Sequence, residues 1–73
     1  MNYWSNIFNL STKETEVFLK MMELGPQAMT SIANAMKLPR STTYSIVDRL
    51  IKEGLAHSFK QDKILFFEVV PIE

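Results

Sequence analysis

The chain has 73 residues with eight basic and eight acidic side chains, so it forms at most one domain and has no net charge. Its 47% apolar content excludes an intrinsically disordered protein, and its lack of cysteine excludes a disulfide scaffold and a cysteine-bound zinc site. It has neither an apolar run long enough to cross a membrane nor the basic start of a signal peptide. We therefore expect a single cytoplasmic domain over residues 1–73.

The first part of the chain predicts a short aromatic segment followed by a helix. Residues 1–10 carry four apolar side chains spaced as in a helical turn: Tyr3, Trp4, Ile7 and Phe8. Ser11 and Glu14 match a capping box, which predicts a helix over 11–24. The apolar spacing predicts that one face of this helix is buried, with Val17, Phe18, Met21 and Leu24 on it. Gly25, as a left-handed cap, and Pro26 end the helix.

Two further helices are predicted, joined by a short turn at Leu38. The second helix, 30–37, begins with Thr30 as its N-cap and buries Ile32, Ala33 and Met36. The third helix, 39–53, begins at Pro39, because a proline at the first helical position lacks only an N–H that would be unpaired there. Its buried stripe is predicted to contain Thr43, Ile46, Val47 and Leu50, and Gly54 ends it.

After Gly54 the apolar residues change from helical to strand spacing, which predicts a β-hairpin over 55–70. Its turn is predicted at Gln61-Asp62-Lys63, and its second strand ends at Pro71. His57, the only histidine, lies on the half-buried first strand, which favours a structural role over a catalytic one. The elements together predict an α+β, mostly helical fold of the winged helix-turn-helix type, with three helices, a two-stranded wing and an extra N-terminal helical turn.

Positive charge is concentrated between residues 37 and 63, which hold six basic and three acidic side chains. In a winged helix-turn-helix, the second helix of the pair enters the DNA major groove with its N-terminus first. Arg40 suits a guanine or a phosphate, small hydroxyl side chains allow close approach, and Tyr44 can donate to a phosphate. The predicted DNA-binding residues are Thr30, Arg40, Ser41, Thr42, Tyr44 and Ser45, then Arg49 and Lys52 at the flanking backbone, and Lys60, Gln61 and Lys63 at the wing tip.

Each of these features also has a structural interpretation. Small hydroxyl residues after a proline are ordinary at a helix start, and Tyr44 can pack against the second helix. Arg49 and Lys52 can be solvated, with Lys52 screened by Glu53, and wing lysines commonly protect an edge strand. Asp48 would repel phosphate, so we expect it to point aside or to orient an arginine.

Several motifs resemble the N-terminal domain of the TrmB family, archaeal and bacterial transcriptional regulators with a winged-helix DNA-binding domain. The similar residues run in register over nearly the whole chain: Leu10-Ser11, Glu14, Val17-Phe18, Gly25-Pro26, Ile32-Ala33, Leu38-Pro39-Arg40-Ser41, Tyr44, Val47, Leu50, Gly54-Leu55 and Val70-Pro71. The resemblance implies that Arg40, Ser41, Thr42 and Tyr44 belong to the DNA-reading helix.

The chain also departs from the family pattern. Thr42 stands where a basic residue is common, and Asn9 stands where glycine is common. The long C-terminal part with which family members bind sugars and dimerise does not follow the wing, and we expect a free-standing short protein. No effector site can therefore be carried over to this chain.

The predicted function is sequence-specific binding of double-stranded DNA as a transcriptional regulator, with no cofactor, metal or small-molecule effector. We expect a homodimer, because two recognition helices on successive major grooves compensate for a module without net charge. The predicted dimerisation surface is the aromatic segment with Tyr3, Trp4, Ile7 and Phe8, or the second wing strand around Phe66 and Phe67. The alternative is a protein-docking module, which the local positive charge disfavours. One histidine, no cysteine and no glycine-rich phosphate loop argue against an enzyme.

Overall fold

The computed structural model describes residues 10–70, which form three helices and a three-stranded antiparallel sheet. In chain order the elements are α1 (Thr12–Leu24), β1 (Gln27–Ala28), α2 (Met29–Met36), α3 (Arg40–Lys52), β2 (Ala56–Gln61) and β3 (Ile64–Val69). The predicted winged helix-turn-helix, three helices with a two-stranded wing, is confirmed. The predicted N-terminal helical turn and the predicted strand end at Pro71 lie outside the described residues.

The start of α1 is the predicted capping box. The Ser11 hydroxyl accepts a hydrogen bond from the Glu14 amide at 3.1 Å, and Glu14 Oε1 accepts one from the Ser11 amide at 2.9 Å. These two bonds satisfy amides that have no partner within the helix. The buried side chains of α1 are Val17, Phe18 and Met21, as the apolar spacing predicts.

The end of α1 differs from the prediction in two respects. Leu24 is 37% exposed, because it is the last residue of the helix and no further turn covers its side chain. Gly25 has the expected positive φ of 79°, but its ψ of −162° lies outside the left-handed helical region, so it is not the predicted left-handed cap. The chain instead leaves α1 in an extended direction that leads into β1.

α2 begins one residue earlier than predicted, and Thr30 is not its N-cap. The N-cap is Ala28, which makes no side-chain capping bond. Ala28 is held in an extended conformation by its pairing with Phe66 of β3. The sheet therefore sets the start of α2, in place of the hydroxyl cap that the sequence indicated.

α3 buries the predicted stripe of Thr43, Ile46, Val47 and Leu50. Pro39 is its N-cap and not its first helical residue, so α3 begins at Arg40. The Pro39 carbonyl accepts hydrogen bonds from the Thr43 amide and from the Thr43 hydroxyl, each at 3.0 Å. The hydroxyl bond satisfies the single buried polar side chain of the described core. Gly54 follows the helix with φ of 78°, as its predicted stop requires.

The sheet has the order β1-β3-β2, and one of its strands was not predicted. The β2–β3 hairpin pairs from Ala56 opposite Val69 to Gln61 opposite Ile64. Gln61 is therefore part of β2, and the predicted three-residue turn is a two-residue turn of Asp62 and Lys63. The additional strand, β1, pairs two residues with the other edge of β3.

The core lies between the helices and one face of the sheet, and it determines which side chains remain outside. Its largest fully buried members include Phe18, Met21, Ile32, Leu50 and Leu55. Phe67 is 4% exposed and belongs to this core, so it is not available to a dimer partner as predicted, whereas Phe66 is half-buried. Among the described helices, none combines the length and the apolar character that crossing a membrane requires.

Candidate nucleic-acid interface

The first two turns of α3 form an exposed polar surface. Arg40, Ser41, Tyr44 and Ser45 line one shallow open depression, and all four are exposed. Their spacing puts them on the side of α3 opposite to its buried stripe. Thr42 is exposed but does not line the depression. Four of the predicted DNA-binding residues are therefore brought together at the end of the helix that a winged helix-turn-helix inserts into DNA.

Tyr44 is exposed and also anchored. Its side chain is 53% exposed, and its ring meets the buried ring of Phe67 edge-on, with 6.3 Å between the ring centroids. This ring contact with β3 is an intramolecular partner of Tyr44 that the sequence did not indicate. An edge-to-face contact restricts the ring while its exposed part stays accessible to a ligand.

Two of the predicted DNA-binding cations are neutralised within the protein. Arg49 pairs with Glu53 at 3.3 Å and with Glu14 of α1 at 3.7 Å. Lys52 pairs with Asp48 at 3.2 Å, so its partner is not the predicted Glu53. Asp48, which was expected to point aside or to orient an arginine, has a lysine partner. The second half of α3 therefore shows compensated charge.

The basic residues without a carboxylate partner lie elsewhere. Within residues 10–70, Lys13 and Lys20 of α1 are paired with glutamates on the same helix, at 3.3 and 3.1 Å. The described basic residues whose side chains have no ion pair or hydrogen bond are Lys37, Arg40, Lys60 and Lys63. They lie in the α2–α3 turn, at the first position of α3 and at the wing tip. Within residues 10–70, three of these four cations, Arg40, Lys60 and Lys63, were predicted to face DNA, and the fourth, Lys37, lies in the turn directly before α3.

Lys37 is the member of this set that the sequence did not single out. It follows α2 directly and is exposed. Its predicted place was the last residue of the second helix, where one lysine looks like any other surface lysine. The signal that distinguishes it is its left-handed backbone, with φ of 58° and ψ of 43°.

The wing presents its polar residues at the tip and its aromatic residues below it. Lys60, Gln61 and Lys63 are exposed around the two-residue turn. Below them, Phe59 of β2 stacks on Phe66 of β3, with 5.6 Å between the ring centroids. The stack supports the two strands that carry the tip.

Two further residues are placed away from the exposed depression. Thr30 is exposed on α2 and does not line the depression. His57 Nε2 lies 2.9 Å from Glu68 Oε2 on the paired strand, which agrees with the structural role predicted for this histidine. In the part of the chain that the structure describes, no three His, Cys, Asp or Glu side chains cluster as a metal site would need.

Comparison with solved structures places this arrangement among transcriptional regulators. A MarR-like transcriptional regulator from Thermotoga maritima is 25% identical with a TM-score of 0.82, and the match covers 90% of this chain and 49% of that one. A "probable transcriptional regulator" from Pseudomonas aeruginosa is 21% identical with a TM-score of 0.81, covering 92% and 54%. The homodimeric winged helix-turn-helix DNA-binding domain from Mycobacterium bovis is 17% identical with a TM-score of 0.73, covering 89% and 61%.

This chain thus spans between 49% and 61% of the length of these three proteins. No curated protein sequence matches it. The family model described as sugar-specific transcriptional regulator TrmB matches residues 5–73, nearly the entire chain. The match agrees with the motifs at the start of α3 and around Gly25 and Gly54. The chain therefore belongs to the TrmB family of transcriptional regulators.

Proposed function

We propose that this chain binds double-stranded DNA sequence-specifically as a transcriptional regulator. The first two turns of α3 enter the major groove, and the wing contacts the flanking backbone or the minor groove. The observation that carries the proposal is the distribution of charge. Within the described residues, the cationic side chains without an intramolecular partner lie only in the turn before α3, at the first position of α3 and at the wing tip. DNA phosphates are negatively charged partners for such cations.

The residues of the exposed depression have separate roles in this proposal. Arg40 offers a planar, bidentate donor to a guanine edge. Ser41 and Ser45 are small enough to let the helix backbone approach the bases. Tyr44, its ring held against Phe67, donates its hydroxyl to a phosphate oxygen. Base contacts then give sequence preference, and phosphate contacts fix the position of the helix in the groove.

Arg49, Lys52 and Thr30 are not part of the proposed interface. The charges of Arg49 and Lys52 are already compensated by carboxylates of this chain. A phosphate contact of either residue would therefore replace an existing ion pair and would not add a new one. We assign Arg49 instead to holding α1 against α3 through its pair with Glu14.

We further propose that the chain acts as a homodimer through the N-terminal aromatic segment, whose residues Tyr3, Trp4, Ile7 and Phe8 lie outside the described part of the structure. The burial of Phe67 removes the main aromatic residue of the alternative surface, the second wing strand. The solved M. bovis domain of similar fold is described as homodimeric. Replacement of Trp4 by serine should shift the mass in solution from dimer to monomer.

The experiment that tests the function is binding of the purified chain to random duplex DNA as a function of salt, with the mass in solution recorded in parallel. The structure presents four unpaired cations, and each neutralised phosphate contributes about 0.9 to the slope of log K against log salt. Arg40 is assigned to a base edge, which leaves three cations for phosphates, so the expected slope is up to about −2.7 for one chain and about twice that for a dimer. A selected operator should then bind more tightly than random DNA.

Two results would contradict the proposal. Absence of binding at low salt would exclude the DNA interface and favour a protein-docking module. Binding without any selectable sequence preference would leave a general DNA-binding protein and exclude the base-reading role of Arg40.

A further inference from the structure

Three residues other than glycine have a positive φ in the described part of the chain, and two of them are lysines of the unpaired set. They are Lys37, with φ of 58°, Asp62, with φ of 53°, and Lys63, with φ of 69°. Residues with a Cβ adopt this region only at a cost, because Cβ crowds the following carbonyl oxygen. Glycine avoids that cost, and asparagine and aspartate reduce it.

The left-handed conformation at Lys37 is required by the turn and not by the lysine. The Lys37 amide donates to the Asn34 carbonyl at 3.2 Å, and the Leu38 amide donates to the Ala33 carbonyl at 3.0 Å. This is the Schellman motif, in which the left-handed position is usually glycine. The motif brings Leu38 back onto the core and sets up α3. A glycine would do the same with less strain.

The wing turn also has a lysine at a position where glycine is favoured. Asp62 and Lys63 form a two-residue loop in which both positions have positive φ, as in a type I′ turn. Asn-Gly and Asp-Gly are the preferred pairs for this turn. The first residue here, aspartate, follows the preference, whereas the second is a lysine where glycine is favoured.

Nothing within the described residues compensates for either lysine. Both side chains are exposed, and neither has an ion pair or a hydrogen bond there. Each turn needs the left-handed backbone but not a lysine side chain, and a side chain kept in a strained conformation without an intramolecular contact is a pointer to function. We infer that Lys37, together with Lys63, is a contact to DNA phosphates, kept at a left-handed position at the expense of fold stability. The inference rests on the proposed DNA binding and adds the α2–α3 turn to the interface.

The test uses glycine, asparagine and arginine variants of the whole chain, with random duplex DNA as the probe. Lys37→Gly and Lys63→Gly should each raise Tm by a few degrees, because the strain relieved exceeds the entropy that glycine adds to the unfolded chain. Each should also weaken binding about five-fold at about 150 mM salt and reduce the salt slope by about one, as loss of one phosphate contact requires.

Matched variants separate charge from backbone freedom. Lys37→Asn tolerates the left-handed backbone without the flexibility of glycine, so it should lose as much affinity as Lys37→Gly. Lys37→Arg keeps the charge and should keep both the affinity and the slope. Asp62→Gly adds a glycine to the same wing turn without removing a cation, so it should not weaken binding.

The outcomes distinguish this inference from the proposed function. If the unmodified chain does not bind DNA, the proposed function fails and the inference fails with it. If the chain binds but Lys37→Gly and Lys37→Asn retain its slope, the inference about Lys37 is overturned while the DNA interface stands. A fall in Tm for both glycine variants would overturn the claim that stability is given up at these positions.

Discussion

Arg40 occupies a position where its charge opposes the stability of its own helix. It is the first residue of α3, and the first turn of α3 contains no acidic residue. The amides at a helix N-terminus carry partial positive charge, so a cation there is unfavourable. Arg40 is exposed and has no carboxylate partner among the described residues. Arg40→Ala should therefore have opposite effects on folding and on DNA binding.

The two magnitudes follow from these positions. Removing a cation from an exposed helix N-terminus contributes about 0.3 kcal/mol or more to stability, and alanine is also the better helix former. The free energy of unfolding should thus stay constant or rise by a few tenths of a kcal/mol. Loss of a bidentate contact to a base should cost about 1–3 kcal/mol of binding, or roughly a five- to 150-fold loss of affinity for a selected operator.

The assay pairs thermal and denaturant unfolding with binding to a selected operator and to random duplex. Arg49→Ala is the matched control, because Arg49 lies on the same helix but pairs with Glu14 and Glu53. The Arg49 variant should lose about 0.2–1 kcal/mol of stability and little affinity. The reasoning is refuted if Arg40→Ala destabilises the fold, or if it binds the operator as tightly as the unmodified chain.

Three further changes test the core, the ring contact and the α1–α3 link. Leu50 is fully buried, so Leu50→Ala should lower the free energy of unfolding by about 2–5 kcal/mol, measured by chemical denaturation. Leu19 is 53% exposed, so Leu19→Ala should lower it by under about 1 kcal/mol. Equal losses would contradict the assignment of the buried and exposed helix faces. Tyr44→Phe should keep the thermal stability, because the ring contact with Phe67 remains, but should lose about 0.5–1.5 kcal/mol of DNA affinity; an unchanged affinity would remove the hydroxyl from the interface. Glu14→Ala should lower the free energy of unfolding by about 1–2 kcal/mol, since it removes a capping bond and an ion pair together. Glu14→Gln keeps the capping acceptor and should lower it less. The opposite order of the two variants would contradict this account.

The order of the three helices and the hairpin, the buried stripe of α3 and the exposed side of its first turns could be predicted from the sequence because they depend on neighbouring residues. The capping box of Ser11 and Glu14 and the stop at Gly54 act over one helical turn. The buried residues of α3 recur at helical spacing, and the change to strand spacing after Gly54 reports the hairpin. The exposed residues at the start of α3 follow from that stripe, since they lie on the opposite side.

Other features depend on which distant segments meet, so only the tertiary structure determines them. β1 is too short for any apolar period, and it exists because β3 offers an edge that Gln27 and Ala28 can pair with. Because of that pairing, α2 begins at Met29 and not at the predicted Thr30.

The charges and rings of the interface were decided in the same way. Arg49 looked as available as Arg40 in the sequence, but packing brings Glu14 of α1 to Arg49. The pair of Lys52 with Asp48, in contrast, joins residues one helical turn apart, so the helical spacing alone indicates it. Tyr44 contacts Phe67 only because the wing packs onto α3. A residue's type and spacing thus determined what it is able to bind, whereas the folded chain determined which of these groups already have partners within the protein.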